Sequence, residues 1–145
     1  MSALGRRAFL QRLLALVTGG GLWPRTGPTL RRDSDPWPAL GEALAQVLTD
    51  PGATRRVGRR YLDAEPTEAS VPRLLALLPT GGTTADARAA EREIARHPRA
   101  FLARVGKAAR ADFAEGETVV VDGWQLSRAE ARLAALTALT SEPPA

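Results

Sequence analysis

The apolar positions of this chain recur mostly three or four residues apart, which is the spacing of an α-helix. The first stripe is formed by Leu40, Leu44, Val47 and Leu48. It predicts an amphipathic helix that ends at Asp50-Pro51, where the aspartate can cap the next helix. That second helix is rich in arginine and ends before Glu65-Pro66. A third segment, 71–78, is apolar on nearly all sides and is therefore expected to be the central helix.

Two further helices are separated by His97-Pro98, because proline interrupts a helix. The first is rich in alanine, opens at Thr84 and has Ile94 as its only large apolar residue. The second ends before Gly116, which suits a helix C-terminus. Its predicted inward face comprises Phe101, Leu102, Val105, Ala109 and Phe113.

The pattern changes to that of a β-hairpin over about residues 117–126. A β-branched run, 118–121, precedes Asp122-Gly123, a residue pair that favours a type I′ turn. Ser127 and Glu130 then have the spacing of a capping box, so Ser127 should begin the last helix. The inward positions expected for that helix are Leu126, Ala129, Leu133, Leu136, and Leu139 or Thr140. The fold class predicted is mainly α: a small helical bundle with a short C-terminal β-hairpin before the last helix.

Residues 1–24 have a different pattern, that of an export signal. Basic residues precede a short apolar run, 13–17, and then three glycines, 19–21. The apolar run is too short for a transmembrane helix, which needs about 20 residues. An amphipathic first helix of the domain is the alternative, but the glycines would end such a helix at once.

The string from Gly5 to Gln11 resembles the twin-arginine export signal, in which Ser or Thr is followed by Arg-Arg, any residue, Phe, Leu and Lys. The matching residues are Arg6, Arg7, Phe9 and Leu10. Gly5 and Gln11 depart from the pattern at its two ends. The resemblance implies that the twin-arginine translocase exports the folded chain to a periplasmic or other extracytoplasmic location. A leader that stays uncleaved would in addition hold the protein at the inner membrane.

The amino-acid composition narrows the range of functions that the chain can have. The chain has 145 residues, with 20 Lys and Arg, 16 Asp and Glu, one His and no Cys. Four of the arginines lie within residues 1–25, so the remainder has balanced charge and lacks the positive field that nucleic acids require. One helical domain, 39–140, is predicted between a Pro-rich tether, 25–38, and a disordered tail, 141–145.

The candidate catalytic and metal-binding residues are few. The absence of cysteine excludes disulfides, thiolate nucleophiles and Cys-ligated metals. His97 is interpreted as a helix-end histidine, and neither Asp33 with Asp35 nor Glu91 with Glu93 resembles a calcium loop. The run 81–84 precedes a helix but lacks the lysine and the strand of a phosphate-binding loop. We therefore expect no catalytic residue, no cofactor and no metal, and a chain that is not itself an enzyme.

The candidate partner-binding residues are Trp124, Leu126, Arg55, Arg59 and Tyr61. Trp124 has two interpretations: it covers the helical core as part of a structural lid, or it is an aromatic anchor for a partner protein. The arginine-rich face of the second predicted helix also has two interpretations. It is either solvated and balanced by nearby acids, or a docking patch for an acidic partner or for anionic lipid head groups at a peripheral membrane contact.

Residues 122–133, read as Asp-Gly-Trp-x-Leu-Ser-x-x-Glu-Ala-Arg-Leu, together with the leader resemble small exported bacterial proteins. The overall plan, with Arg60-Tyr61-Leu62 near the end of the second helix, resembles the small subunit of flavin-dependent gluconate and sugar dehydrogenases. That resemblance implies a non-catalytic accessory subunit that escorts a larger oxidoreductase subunit. Without cysteine, such a complex must be non-covalent. A free-standing periplasmic binding module or cell-envelope structural module, with or without a tethering leader, is the alternative.

Overall fold

The computed structural model describes residues 37–81 and 86–141. Its elements in chain order are the helices α1 (Pro38–Val47), α2 (Pro51–Ala64), α3 (Val71–Leu77), α4 (Ala87–Arg96) and α5 (Pro98–Glu115), the strands β1 (Thr118–Val121) and β2 (Trp124–Ser127), and the helix α6 (Arg128–Thr140). A single 3-10 turn, Pro66–Glu68, joins α2 to α3. The predicted fold class, a helical bundle with a β-hairpin before the last helix, is confirmed.

Local sequence signals explain where the helices begin and end. The Oδ1 atom of Asp50 accepts a hydrogen bond from the backbone N–H of Ala53 at 2.8 Å, so Asp50 caps α2 as predicted. Asp86 caps α4, which begins at Ala87; Thr84, the predicted start, lies outside the described residues. Gly116 follows α5 with a φ of 77°, a left-handed conformation that favours glycine.

The ends of the domain differ slightly from the predicted boundaries. Trp37, assigned to the tether, packs partly buried against the core, and the guanidinium of Arg88 lies 3.7 Å from the centre of its ring. Pro38 is already the first residue of α1. At the other end, the carbonyl oxygen of Ser141 accepts a hydrogen bond from Arg55 Nη1 at 3.4 Å. The rest of the predicted tail lies outside the described residues.

The central helix is α6, and the prediction that segment 71–78 would be central is wrong. Helix α6 packs against α2, α3, α5, α1 and both strands. Nine of its residues are buried: Ala129, Glu130, Ala131, Leu133, Ala134, Ala135, Leu136, Thr137 and Ala138. Helix α3 buries one side and leaves Pro72, Arg73 and Ala76 exposed. Alanines give α6 a weak hydrophobic pattern, yet their small size lets neighbouring helices surround it.

Two glycines allow the other helices to approach α6 closely. A Cβ atom on Gly58 of α2 would overlap the carbonyl oxygen of Ala134, and one on Gly41 of α1 would overlap that of Thr140. The helix backbones therefore meet at these two points without intervening side chains. Large side chains fill the space around the contacts, among them Leu40, Leu44, Leu74, Ile94, Phe101 and Leu136, all fully buried.

Candidate functional site

The β-hairpin consists of two short antiparallel strands joined by a tight turn. Cross-strand partners are Thr118 with Ser127, Val119 with Leu126, Val120 with Gln125 and Val121 with Trp124. Asp122 and Gly123 have positive φ angles of 49° and 79°, which are the signs that a type I′ turn requires at both central positions. The predicted hairpin and its turn are thus confirmed.

The two faces of the hairpin have different surroundings, because side chains alternate along a strand. One face carries Val119, Val121 and Leu126, and it packs on the helices: Leu126 is 1% exposed. Trp124 shares this face but lies at its turn end. The opposite face carries Val120, and it points away from the helical core.

Trp124 and Val120 are the exposed large apolar side chains of the described residues, at 56% and 72%. The lid interpretation required Trp124 to be covered, so the structure disagrees with it. An exposed tryptophan leaves a large apolar area in water, and rigid exposed aromatic side chains are the kind of residue that anchors protein interfaces. Trp124 therefore remains a partner-binding candidate.

Leu126 and Tyr61 require a correction as partner-binding candidates. Both are 1% exposed, so neither can contribute to a docking surface of the folded domain. Leu126 attaches the hairpin to the helical core. Tyr61 lies on the inward face of α2, three residues after the tightly packed Gly58. The sequence analysis had also assigned Leu126 an inward position, and its burial agrees with that assignment. For Tyr61, the arginine-rich pattern did not show which side of the helix faces inward.

Tyr61 belongs to a buried polar cluster that the sequence analysis missed. Its hydroxyl donates to Glu68 Oε2 at 2.8 Å, and Arg132 donates to the same carboxylate through Nε at 3.0 Å and Nη2 at 2.8 Å. Two parallel bonds from one guanidinium are a strong form of ion pair. The cluster joins α2, the 3-10 turn and α6, so it fixes three elements relative to one another.

The cluster shifts the pKa of each member. Burial and the hydrogen bond to Glu68 raise the pKa of Tyr61 to about 12. The Arg132 guanidinium lowers the pKa of Glu68, against the opposing effect of burial, and Glu68 in turn raises the pKa of Arg132. Around neutral pH the phenol is protonated and the ion pair is fully charged, so the cluster stabilises the fold rather than providing a proton donor or acceptor.

A second buried carboxylate lies at the start of α6. Ser127 Oγ accepts from the backbone N–H of Glu130 at 3.0 Å, and Glu130 Oε2 accepts from that of Ser127 at 2.9 Å, which confirms the predicted capping box. Asp112 Oδ2 of α5 accepts from the backbone N–H of Ala129 at 2.8 Å. Burial raises the pKa of Glu130 despite these donors. Both carboxylates serve the helix terminus.

The arginines of α2 lie beside the hairpin. Arg60 Nε is 3.6 Å from Asp122 Oδ2 at the turn, and both side chains are well exposed. Arg56 and Arg59 are exposed on the same helix, whereas Arg55 is partly buried through its bond to Ser141. The nearby acids that could balance this face are Asp50, Asp63 and Glu65. Asp50 caps the helix, Glu65 lies 3.8 Å from Arg128 instead, and Asp63 is exposed on α2 itself. The surface next to Trp124 is consequently arginine-rich.

The other residues considered for catalysis or metal binding lie on α4 or at its end, where the structure describes them. His97 is exposed between α4 and α5, and Glu91 lies 2.9 Å from Arg88. No group of three or more metal-ligating side chains, and no buried side-chain polar atom without a partner, occurs among these residues. A shallow, open depression of about 450 Å³ lies between α1 and α5, lined by Gln46, Val47, Arg99, Leu102 and Ala103.

The export-signal residues Arg6, Arg7, Phe9 and Leu10 lie outside the described residues. So do Asp33, Asp35 and most of the run 81–84. Over the ranges that are described, no helix is both long enough and apolar enough to cross a membrane. No protein-family model, no curated protein and no solved structure matches this chain, so its function has to be inferred from its own residues.

Proposed function

We propose that this chain is a non-catalytic accessory subunit that binds a partner protein through its β-hairpin. The observation that carries the proposal is Trp124, which is 56% exposed on a hairpin with a type I′ turn, four cross-strand pairs and a buried attachment at Leu126. A hairpin anchored through Leu126 fixes the backbone position of Trp124. Little conformational entropy is then lost when a partner covers it.

We further propose that the twin-arginine pathway exports the chain together with this partner. The support is the sequence Arg6-Arg7-Ala8-Phe9-Leu10 near the N-terminus. The pathway carries folded proteins, so an accessory subunit with this signal can supply export for a bound partner that has none. A larger oxidoreductase subunit, held without covalent bonds, is the partner class that the sequence resemblance implies.

The test of partner binding is a native pull-down with a C-terminally tagged full-length chain from cytoplasmic and periplasmic fractions, followed by mass spectrometry. Wild type should retain one protein stoichiometrically, and Trp124→Ala should lose it. Gln125→Ala is the matched control, because Gln125 is an exposed neighbour in the same strand whose side chain donates to Thr118 Oγ1 at 3.0 Å. Equal retention by wild type and Trp124→Ala would contradict the proposed role of the hairpin.

The test of export replaces Arg6 and Arg7 by Lys in the full chain. This variant should leave both the chain and its partner in the cytoplasm, while the control Arg12→Lys, in the same segment but outside the motif, should be exported normally. Correct export of the partner in the double-lysine variant would show that the partner has another route.

A second candidate function is a free-standing periplasmic binding or cell-envelope structural module. The observation that favours it is the core, in which one set of large side chains is fully buried and no buried side-chain polar atom of the described residues is unsatisfied. Such a core can fold without a partner. A monodisperse periplasmic monomer from which wild type and Trp124→Ala capture nothing would favour this module over the accessory subunit.

A further inference from the structure

The surface around Trp124 combines an exposed apolar anchor with a concentration of arginines. Helix α2 carries four arginines and one carboxylate, Asp63. The 3.6 Å approach of Arg60 to Asp122 brings this helix against the turn that precedes Trp124. Because Trp124 shares the hairpin face that packs on the helices, its ring and the arginines of α2 form one surface. We call Trp124, Arg56, Arg59 and Arg60 the Trp124–arginine surface.

We infer that the Trp124–arginine surface binds an acidic segment of the partner protein that places an apolar side chain against Trp124. This inference rests on the proposed function and names the chemistry of the partner. Arginine side chains bind carboxylates in a fixed, often bidentate geometry, and a neighbouring aromatic ring supplies apolar contact area. Arg56 is available for such a contact, because it forms no ion pair or hydrogen bond with any residue that the structure describes.

The geometry favours a protein segment over an anionic membrane surface. Val120 and Trp124, the two exposed large apolar side chains of the described residues, lie on opposite faces of the hairpin, so a bilayer lying against the Trp124–arginine surface would leave Val120 in water. The carboxylate of Asp122 is exposed at the tip between them and would be repelled by anionic head groups. A protein segment can instead pass along α2, avoid Asp122 and still cover the Trp124 ring.

The experiment uses the full-length chain with ¹⁵N-labelled tryptophan, whose three indole signals are separated by NMR. Comparison with Trp124→Phe assigns the Trp124 signal. The probes are three 14-residue peptides with one central Phe and flanks rich in Glu, in Ser and Gly, or in Lys, together with vesicles of phosphatidylglycerol and phosphatidylethanolamine. We expect the Glu-rich peptide to shift the Trp124 signal and bind most tightly, with an affinity that falls as NaCl is raised from 50 to 300 mM.

Charge reversal locates the contact. Arg56→Glu should weaken binding of the Glu-rich peptide by about fivefold, because it replaces one exposed ion pair with a repulsion. The matched control is Arg99→Glu, which changes the net charge equally but lies in the first turn of α5, whose opposite end leads to the hairpin. It should weaken binding by less than about twofold, the residual effect of net charge at long range.

Several results would overturn the inference. They are equal binding of the three peptides, equal effects of the two charge reversals, a Trp124 shift caused by vesicles but not by the Glu-rich peptide, and no shift with any probe. The pull-down distinguishes these from failure of the proposed function. If Trp124-dependent capture of a partner persists while the acidic peptide shows no preference, hairpin docking stands and only the acidic character of the partner is wrong.

Discussion

Tyr61 shows how much one residue's environment departs from its sequence context. It follows two exposed arginines in a basic helix, yet it is 1% exposed and donates a hydrogen bond to a charged carboxylate. Hydrogen bonds to charged groups contribute more to stability than neutral ones, about 1.5–3 kcal/mol. The residue therefore links the helical core to the ion pair between Glu68 and Arg132, and it serves no docking surface.

Tyr61 is the only tyrosine in the chain, so its titration can be measured without ambiguity. We expect phenolate absorbance at 295 nm to appear with a pKa of about 12 in the folded protein and about 10 in guanidinium chloride. The folded state holds the phenol proton more tightly than the unfolded state. The contribution of Tyr61 to the free energy of unfolding should therefore be complete below pH 10 and be lost as the pH rises from 10 towards 12. A folded-state pKa near 10 would contradict burial of the phenol.

Gly58 is the residue at which a single methyl group should matter most. Gly58→Ala should lower the free energy of unfolding by about 1–3 kcal/mol, because its Cβ would overlap the backbone of Ala134 and separate α2 from α6. Gly106→Ala is the matched control. A Cβ at Gly106 meets nothing within 4 Å, so this helical substitution should stabilise by about 0.5–1 kcal/mol. Urea unfolding followed by circular dichroism measures both.

At the scale of elements, four of the six α-helices that the structure describes begin at a side-chain cap. Asp50, Ser70, Asp86 and Ser127 all accept a backbone hydrogen bond at the first turn of the helix they precede. Two of these caps differ in burial. The Ser127 contact is buried and 3.0 Å long, whereas that of Ser70 is exposed and 3.3 Å long.

This difference predicts unequal effects of removing the two serine caps. Ser127→Ala should cost about 2 kcal/mol and Ser70→Ala about 0.5 kcal/mol, since water can replace the exposed hydroxyl but not the buried one. Thermal and urea unfolding of the two variants give the comparison. Equal losses would indicate that burial of the cap at α6 adds nothing to its strength.

The Glu68–Arg132 pair connects two elements across 64 residues of chain. Arg132→Met should cost about 3 kcal/mol at pH 7, because it leaves a buried carboxylate without its cation. The double variant Glu68→Gln/Arg132→Met should lose less. Urea midpoints at pH 7 for the wild type and both variants give the test, and it would fail if the double variant lost more stability than the single one.

The pH dependence of this pair has a definite sign. In the wild type the pKa of Glu68 is lowered, so the pair's contribution is complete above the unfolded-state pKa and is lost as the pH falls through the folded-state value. In Arg132→Met the largest influence that lowers the pKa of Glu68 is gone, while burial, which raises it, remains. The destabilisation caused by Arg132→Met should consequently be smaller at pH 4 than at pH 7.

At the scale of the whole molecule, the hairpin is attached at one end and exposed at the other. Its base is held by Leu126, which is 1% exposed, and its tip carries Trp124, which is 56% exposed. Binding at the tip can therefore change without loss of the helical core. This separation allows the proposed partner-binding role to be tested apart from stability.

Two substitutions in the same strand should show the separation. Trp124→Ala should change the free energy of unfolding by less than about 0.5 kcal/mol, as is usual for exposed positions. Leu126→Ala should cost about 2–5 kcal/mol, the range for truncating a buried leucine. Both are measured by urea unfolding followed at 222 nm. A large loss in Trp124→Ala would make the residue structural and return it to the lid interpretation.

The sequence by itself determined the features that depend on near neighbours. The cap at Asp50, the break at His97-Pro98, the helix end before Gly116, the type I′ turn at Asp122-Gly123 and the capping box at Ser127 were all predicted, because each depends on residues within about four positions. The end of α1 was predicted at Asp50-Pro51 but lies at Val47. Trp124 was predicted as a candidate site for the same reason: it follows a turn that the sequence specifies.

Only the tertiary structure decided which surfaces face inward and which distant residues meet. The alanines of α6 form no strong hydrophobic stripe in the sequence, yet α6 is the central helix. Their small side chains let the backbones of α1 and α2 approach α6 closely at Gly41 and Gly58. The pairing of Glu68 with Arg132 and the burial of Tyr61 depend on that same packing. Contacts of this kind arise from the arrangement of whole elements, which no local pattern encodes.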